Sequence, residues 1–258
     1  MQMVDDARVV VYLMTGFLES GKTSFLKQTI DKQYFKIDGT TVIILCEEGE
    51  EEYEEDLLAR AKAKIVTVED PEELTKEFLQ EVEDKYHPER VIFECNGMYP
   101  VSKMEALNVP DGWGLIQEIT TVDASTFDVY IANMKSLFVE MVRNADMVLF
   151  NRCTEDMPLA GYRRSVKVVN QGAQIIFEGA EGEIEDIFSD QMPYDLDAPV
   201  IKIEDMDYGI WYVDMMDNLK KYVDKTVRFK GQVLKSRELN AGFFVPGRMA
   251  MTCCADDT

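Results

Sequence analysis

Gly16-Phe17-Leu18-Glu19-Ser20-Gly21-Lys22-Thr23 has the spacing G-x-x-x-x-G-K-[ST]. Immediately before it runs Val9-Val10-Val11-Tyr12-Leu13-Met14, apolar and β-branched, the pattern of a buried parallel strand. Immediately after it runs Ser24-Phe25-Leu26-Lys27-Gln28-Thr29-Ile30, apolar at helical spacing. Strand, glycine loop and helix in that order are the context in which this spacing cradles phosphate. Gly16 and Gly21 permit a tight loop with inward N–H groups, and the helix beginning near Lys22 adds its positive end. Lys22 is predicted to reach the β- and γ-phosphates and the Thr23 hydroxyl to ligate Mg²⁺. Gly16, Glu19, Ser20, Gly21, Lys22, Thr23 and Ser24 form the predicted phosphate-binding set.

Thr40 to Leu45 is a second buried strand, ending at Cys46-Glu47-Glu48-Gly49-Glu50. The acidic run Glu50 to Asp56 then has two readings, a solvated helix start or a surface for a divalent metal or basic partner. Lys64 to Val68 is a short strand. Asp70-Pro71-Glu72-Glu73 predicts the start of a helix reaching about Tyr86. His87, the single histidine, reads as a surface residue at its end. Arg90 to Glu94 is a strand followed by Glu94-Cys95-Asn96-Gly97. A carboxylate at that strand end is either an ordinary acidic terminus or the group that orders Mg²⁺, and Gly97 would let its N–H approach a γ-phosphate. Leu115 to Asp123 and Ala145 to Asn151 are further strands, with a helix over Phe127 to Asn144 between them. Asn151 can bond a base and the loops around it. Gln174 to Phe177 is another strand.

This alternation predicts an α/β fold of the P-loop NTPase kind, a mostly parallel sheet with helices on both faces and the ligand at the strands' carboxyl ends. Asp190 to Pro199 reads as a linker, so the expected domains are 1–190 and 199–258. The second is a small α+β or β-barrel-like unit, with a strand over 200–203, a helix over 208–222 and a strand over 226–233. A strand running into the final residues implies that the natural chain continues, or that this is a shortened relative. Cys253-Cys254 near the end reads either as a buried vicinal pair or as two ligands for a soft metal.

Charge sets the partners. With 49 acidic and 27 basic residues the net charge is −22, a body that repels phosphate backbones, so nucleic acid is not an expected partner. Nucleotide must be drawn locally, by backbone amides, Lys22 and Mg²⁺. Five cysteines at irregular spacing are no disulfide framework, and a reducing cytoplasm fits them. Asp5 and Asp6 precede a short apolar run, so no signal peptide is read, and no stretch is long enough to span a membrane.

Residues from about Val9 to Asp156 resemble the CobW-like GTPases, of the same P-loop class as the nickel-insertion GTPases for urease and hydrogenase. TGFLESGKTSFL is similar to that family's TGFLGSGKTTLL-type pattern. Cys46-Glu47-Glu48-Gly49-Glu50 lies where the family has its Asn-Glu-Phe-Gly-Glu-like switch, which implies a catalytic switch role for Glu47. Glu94-Cys95-Asn96-Gly97 with Pro100 resembles the E-x-x-G Walker B element. Asn151-Arg152 sits where the family has the Asn-Lys of its guanine-reading N-K-x-D. The family's C-x-C-C metal motif is missing, Thr154 replaces the guanine-reading Asp, and Glu19 places a charge within the P-loop. The tail from about Val200 resembles the C-terminal domain of YcgQ-type permease-associated subunits, through Lys230 to Val233, Arg248 and Cys253 to Asp256.

The resemblance implies a Mg²⁺-dependent GTPase, slow for want of an evident arginine finger, that serves as a switch or chaperone in metal or cofactor handling. Lys22, Glu94 and Glu47 are its implied catalytic residues, Thr23 and Glu94 its Mg²⁺ ligands, and Gly97, Asn151 and Arg152 complete the GTP site. The implied partners are a metal ion and a membrane permease or metalloprotein client. Two other readings are a nucleotide-responsive scaffold with little turnover and a small-molecule kinase; for the latter Arg163-Arg164 is the only adjacent arginine pair.

Overall fold

The structure is a computed structural model that describes residues 7–46, 51–154, 156–184, 192–205, 207–235 and 243–247. Glu47, Glu155, Cys253 and Cys254 lie outside the described residues.

An eight-stranded sheet forms the frame. Its strands are β1 (Val9–Thr15), β2 (Thr40–Leu45), β3 (Ala63–Thr67), β4 (Pro88–Glu94), β5 (Trp113–Asp123), β6 (Met147–Cys153), β7 (Gln174–Gly179) and β8 (Gly182–Glu183). Their order is β3-β2-β4-β1-β5-β6-β7-β8, and only the last pairing is antiparallel. Parallel neighbours need crossovers, and the helices α1 (Lys22–Thr29), α2 (Glu55–Arg60), α3 (Lys76–Tyr86), α4 (Val101–Glu105), α5 (Phe127–Asn133), α6 (Lys135–Arg143) and α7 (Leu159–Lys167) lie in them. Met14, Ile43, Ile92 and Ile119 from the sheet form one buried cluster with Leu26 and Leu57 from helices and Ile30, the C-cap of α1. In another part of the core Phe127, Phe138, Phe150 and Phe177 meet ring to ring at 5.0–5.2 Å. The predicted α/β architecture with a mostly parallel sheet is therefore what forms.

Several element boundaries differ from the expectation. Pro71–Glu73 is a lone 3₁₀ turn, and α3 begins only after Thr75, whose hydroxyl accepts from Phe78 N at 3.2 Å. Asp70 accepts from Glu72 N instead of capping the long helix. Thr75 holds extended backbone, which interrupts the predicted helix and lets Leu74 turn into the core. The helix expected over 127–144 breaks at Met134, and the short helix α4 follows Pro100, its N-cap. His87 is exposed at the C-cap of α3 with φ 44°, as a terminal residue should be.

By compactness the chain divides into residues 1–157 with 170–184, and residues 158–169 with 185–258. In the second unit β9 (Ile201–Lys202) pairs parallel with β10 (Val227–Arg228), and β11 (Gln232–Leu234) pairs antiparallel with β12 (Val245–Gly247). The helix expected over 208–222 is two, α8 (Tyr208–Asp217) and α9 (Leu219–Tyr222), parted at Asn218. The single strand expected over 226–233 is split between β10 and β11. This small core gathers Tyr194, Ile201, Ile203, Trp211 and Tyr222, and the Tyr222 hydroxyl donates to buried Asp214. Among the described residues no helix is long and apolar enough to cross a membrane.

Candidate functional site

β1 ends at Thr15 and the chain turns through Gly16 (φ 148°), Glu19 (φ 60°) and Gly21 (φ 90°) into α1. The close fit explains both glycines. A Cβ on Gly16 would stand 2.4 Å from Ser20 Oγ and 2.5 Å from Thr121 O; one on Gly21 would stand 2.4 Å from Asn151 Nδ2. Gly21 offers α1 no side-chain cap, which leaves the first-turn amides for an external anion. Lys22 is 3% exposed, and its Nζ donates to the carbonyls of Gly16 and Phe17 at 2.9 Å each. The ammonium therefore spans the loop at the place where phosphate charge is expected.

Thr23 and Glu94 come together. The Thr23 hydroxyl donates to Glu94 Oε1 at 2.5 Å, and the carboxylate is 3% exposed at the end of β4. Its other oxygen accepts from the Tyr53 hydroxyl at 2.6 Å. Burial, and then the charge of Glu94, push the Tyr53 phenol up, so it stays a donor. Tyr53 lies within the acidic run, whose described part docks on α1: Ser24 donates to Glu51, and Lys27 pairs with Glu54 at 2.8 Å. The same run starts α2, with Glu55 and Asp56 in its first turn.

Gly97 also approaches closely, but its N–H donates to Gly16 O at 2.9 Å, and a Cβ there would stand 2.2 Å from Met141 Sδ. It binds the end of β4 to the P-loop rather than offering that amide outward.

On the other flank, Asn151 Nδ2 donates to Ser20 O at 2.7 Å, while its buried Oδ1 has no partner. Arg152 (φ 54°) donates to Glu19 O at 3.1 Å and to Asp123 Oδ2 at 2.5 Å, so its guanidinium covers the loop. The Glu19 residue is exposed, which removes the difficulty of a carboxylate beside phosphate. Beside Asn151 opens a cavity of about 420 Å³, lined by Gly21, Ser24, Arg152, Thr154, Glu178 and Ala180 among others. Thr154, in place of an acid, donates to Asp156 Oδ1 at 2.6 Å, and this bond holds the Asp156 carboxyl below its usual range. Cys153, also at this cavity, has its thiol pushed up to about 11, chiefly by burial.

The structure thus assembles Gly16, Glu19, Ser20, Gly21, Lys22, Thr23, Ser24, Glu94, Gly97, Asn151 and Arg152 around one loop. Four contributions had not been read from sequence: Tyr53, Thr121, Asp123 and Glu178–Ala180. The signal for the last two was positional, since both lie at strand ends on the carboxyl edge of the sheet. Metal fit rests on one hydroxyl and one carboxylate facing each other, a donor set suited to a hard ion such as Mg²⁺. Among the described residues no group of three or more Cys, His, Asp and Glu side chains is arranged for a metal.

This geometry defines a P-loop nucleotide-binding domain. Residues 10–177 match the CobW/HypB/UreG nucleotide-binding domain, and the chain belongs to that family. Residues 182–258 match the DUF1980 C-terminal domain. The Zn(II)-bound YjiA GTPase from E. coli is similar at 20% identity and a TM-score of 0.50, over 69% of this chain and 59% of that one. A triple-substituted Zn(II)-bound YjiA aligns over the same shares at 19% identity and a TM-score of 0.50. Hydrogenase maturation factor HypB from Archaeoglobus fulgidus aligns at 16% identity and a TM-score of 0.43, over 67% of this chain and 82% of that one. The YjiA matches are likenesses of fold alone, and the chain spans 59% of the length of the YjiA structures it matches. No curated protein is similar enough to the chain to count as a match.

Proposed function

We propose that the protein binds GTP with Mg²⁺, hydrolyses it slowly, and acts as a CobW-like switch in the cytoplasmic handling of a metal or cofactor. The observation that carries this reading is the Thr23–Glu94 hydrogen bond beneath a P-loop already spanned by Lys22. In P-loop NTPases the loop residue and the strand-end carboxylate hold the ion between them. Thr23 and Glu94 are the residues that would hold Mg²⁺, and when bound that ion offsets charge on the β- and γ-phosphates. Lys22 and the loop amides bind and orient the triphosphate. Arg152, tied to Asp123 and Glu19 O, closes the outer side of the loop. Asn151 ties the base cavity to the P-loop through Ser20 O, and its unpartnered Oδ1 is an acceptor awaiting a donor. Glu47 would place the attacking water, as the switch of the family implies.

A low rate is expected because positioning and charge stabilisation carry this chemistry and Arg152, the arginine on the loop, is committed to Asp123 and Glu19 O. The client of the switch, a permease or a metalloprotein, is inferred from the DUF1980-like C-terminal match and the family.

Calorimetry with GTP and ATP in Mg²⁺, on the native protein and Lys22→Ala, tests the proposal. GTP binding that the substitution abolishes, with ATP weak, supports it. Equal binding of both nucleotides would reduce the label to NTPase. Binding of neither would sink it. Binding without turnover, alone or with metal, would favour the scaffold reading.

A further inference from the structure

β2 and β4 run parallel with Leu45 opposite Glu94. One residue further along, Cys46 and Cys95 stand side by side with their sulfurs 3.1 Å apart. A third sulfur, Met104 Sδ on α4, lies 3.9 Å from Cys95 Sγ. Cys46, Cys95 and Met104 are 5%, 2% and 1% exposed. A disulfide would need a sulfur separation of about 2.05 Å, so the pair is a dithiol. Burial alone accounts for one apolar cysteine, but not for three sulfurs converging from two strand ends and a helix.

We propose that Cys46 Sγ, Cys95 Sγ and Met104 Sδ form a binding site for one soft monovalent metal ion, of the Cu(I) class. Thiolate and thioether sulfur select such an ion. Zinc is a poorer fit, because its structural sites take four ligands and rely on Cys and His. The chain's single histidine, His87, is exposed at the far end of α3, and nitrogen or oxygen donors do not complete the set among the described residues. Uptake forms two Cu–S(thiolate) bonds and releases the two thiol protons, while the thioether adds a neutral third contact. No electron is transferred. Shielding by the surrounding core makes exchange slow and protects the ion from oxidants. The inference stands on the sulfur geometry and does not depend on the nucleotide reading. Its consequence for that site is direct, since Cys95 follows Glu94 in the chain and Cys46 N donates to Glu94 O at 3.0 Å.

The test is anaerobic Cu(I) titration of the full chain against a chromogenic chelator, with non-denaturing mass spectrometry for stoichiometry. Cys153, Cys253 and Cys254 are first replaced by Ser, so that only the Cys46–Cys95 thiols remain. One Cu(I) per chain in this background is expected. Cys46→Ser or Cys95→Ser should abolish it. Met104→Leu keeps the volume and should preserve the fold, yet weaken binding by at least the about tenfold that even an outer-shell change at a metal site costs. X-ray absorption of the loaded protein should show sulfur-only coordination. Failure of the background protein to take up Cu(I), unchanged binding in Met104→Leu, or formation of a Cys46–Cys95 disulfide with oxidised glutathione in place of metal uptake would each overturn the proposal.

Discussion

Tyr53→Phe should separate the nucleotide-free state from the loaded one. The phenol donates to Glu94 Oε2 at 2.6 Å, and the carboxylate it serves is 3% exposed. A hydrogen bond to a charged acceptor contributes about 1.5–3 kcal/mol, and its loss here leaves a buried carboxylate short of a donor. Phenylalanine fills the same space, so packing is retained and the change isolates the hydroxyl. Stability of the free protein should therefore fall by about 2 kcal/mol, a large share of the roughly 5–15 kcal/mol of a typical domain. Nucleotide affinity should move the other way. Thr23 and Glu94 must turn from each other and from Tyr53 to hold an ion, so removing one competitor lowers the cost of loading. If half of the lost energy is recovered on loading, Mg²⁺–GTP binds about fivefold tighter, since about 1.4 kcal/mol is tenfold. Urea unfolding midpoints with and without Mg²⁺–GTP, beside calorimetric affinity, measure both effects. A midpoint unchanged in the free protein would mean that the bond carries no weight, and weaker Mg²⁺–GTP binding in the variant would mean that Tyr53 belongs to the loaded state.

Other substitutions test the remaining geometry. Gly21→Ala places a methyl 2.4 Å from Asn151 Nδ2 at φ 90°, and should lower nucleotide affinity at least about tenfold while costing about 1–3 kcal/mol in an unfolding titration. Asn151→Ala removes the bond to Ser20 O, and a base reader lost with it should raise the dissociation constant for GTP more than that for inorganic triphosphate. Glu118, at the amino-terminal side of the sheet's β5–β6 pair, has its carboxyl pushed up to about 8, first by burial and then by Glu105 and Asp146. Its protonated form is the one the fold favours, so stability is full below the ordinary carboxylate range and falls as pH rises through about 8. Glu118→Gln should flatten that decline, measured as urea midpoints at pH 5 and pH 9.

Much of the loop was legible because the glycine spacing, the buried strand before it and the helix after it are local in sequence. The partnership of Thr23 with Glu94 was legible at one remove, since a strand-end acid in this strand order has few other places to go. Helix interruptions were not. Met134 and Asn218 both lie inside apolar helical periodicity, which continues across a break because the core on either side keeps the same face. The cap signal of Asp70-Pro71 set the expected helix start too early, because the observed cap is Thr75 and Leu74 just before it is buried. Tyr53 had no signal at all within its acidic run, because what selects it is a carboxylate far along the chain.

Register explains why the most specific juxtaposition stayed hidden. Cys46 and Cys95 each follow an apolar strand, and each reads alone as a buried thiol. Their meeting needs three facts at once: β2 and β4 are neighbours, they run parallel, and Leu45 falls opposite Glu94. A slip of one residue would turn one thiol to the other face of the sheet. The Glu94 carbonyl that accepts from Cys46 N fixes that register at the strand ends, beside the carboxylate that Thr23 holds. The sulfur cluster and the proposed Mg²⁺ ligands are therefore set by one and the same strand pairing. Any ion that moves the Cys46–Cys95 pair acts on the end of β4, and linkage requires that loading of the nucleotide site change the affinity of the sulfur site by the same factor.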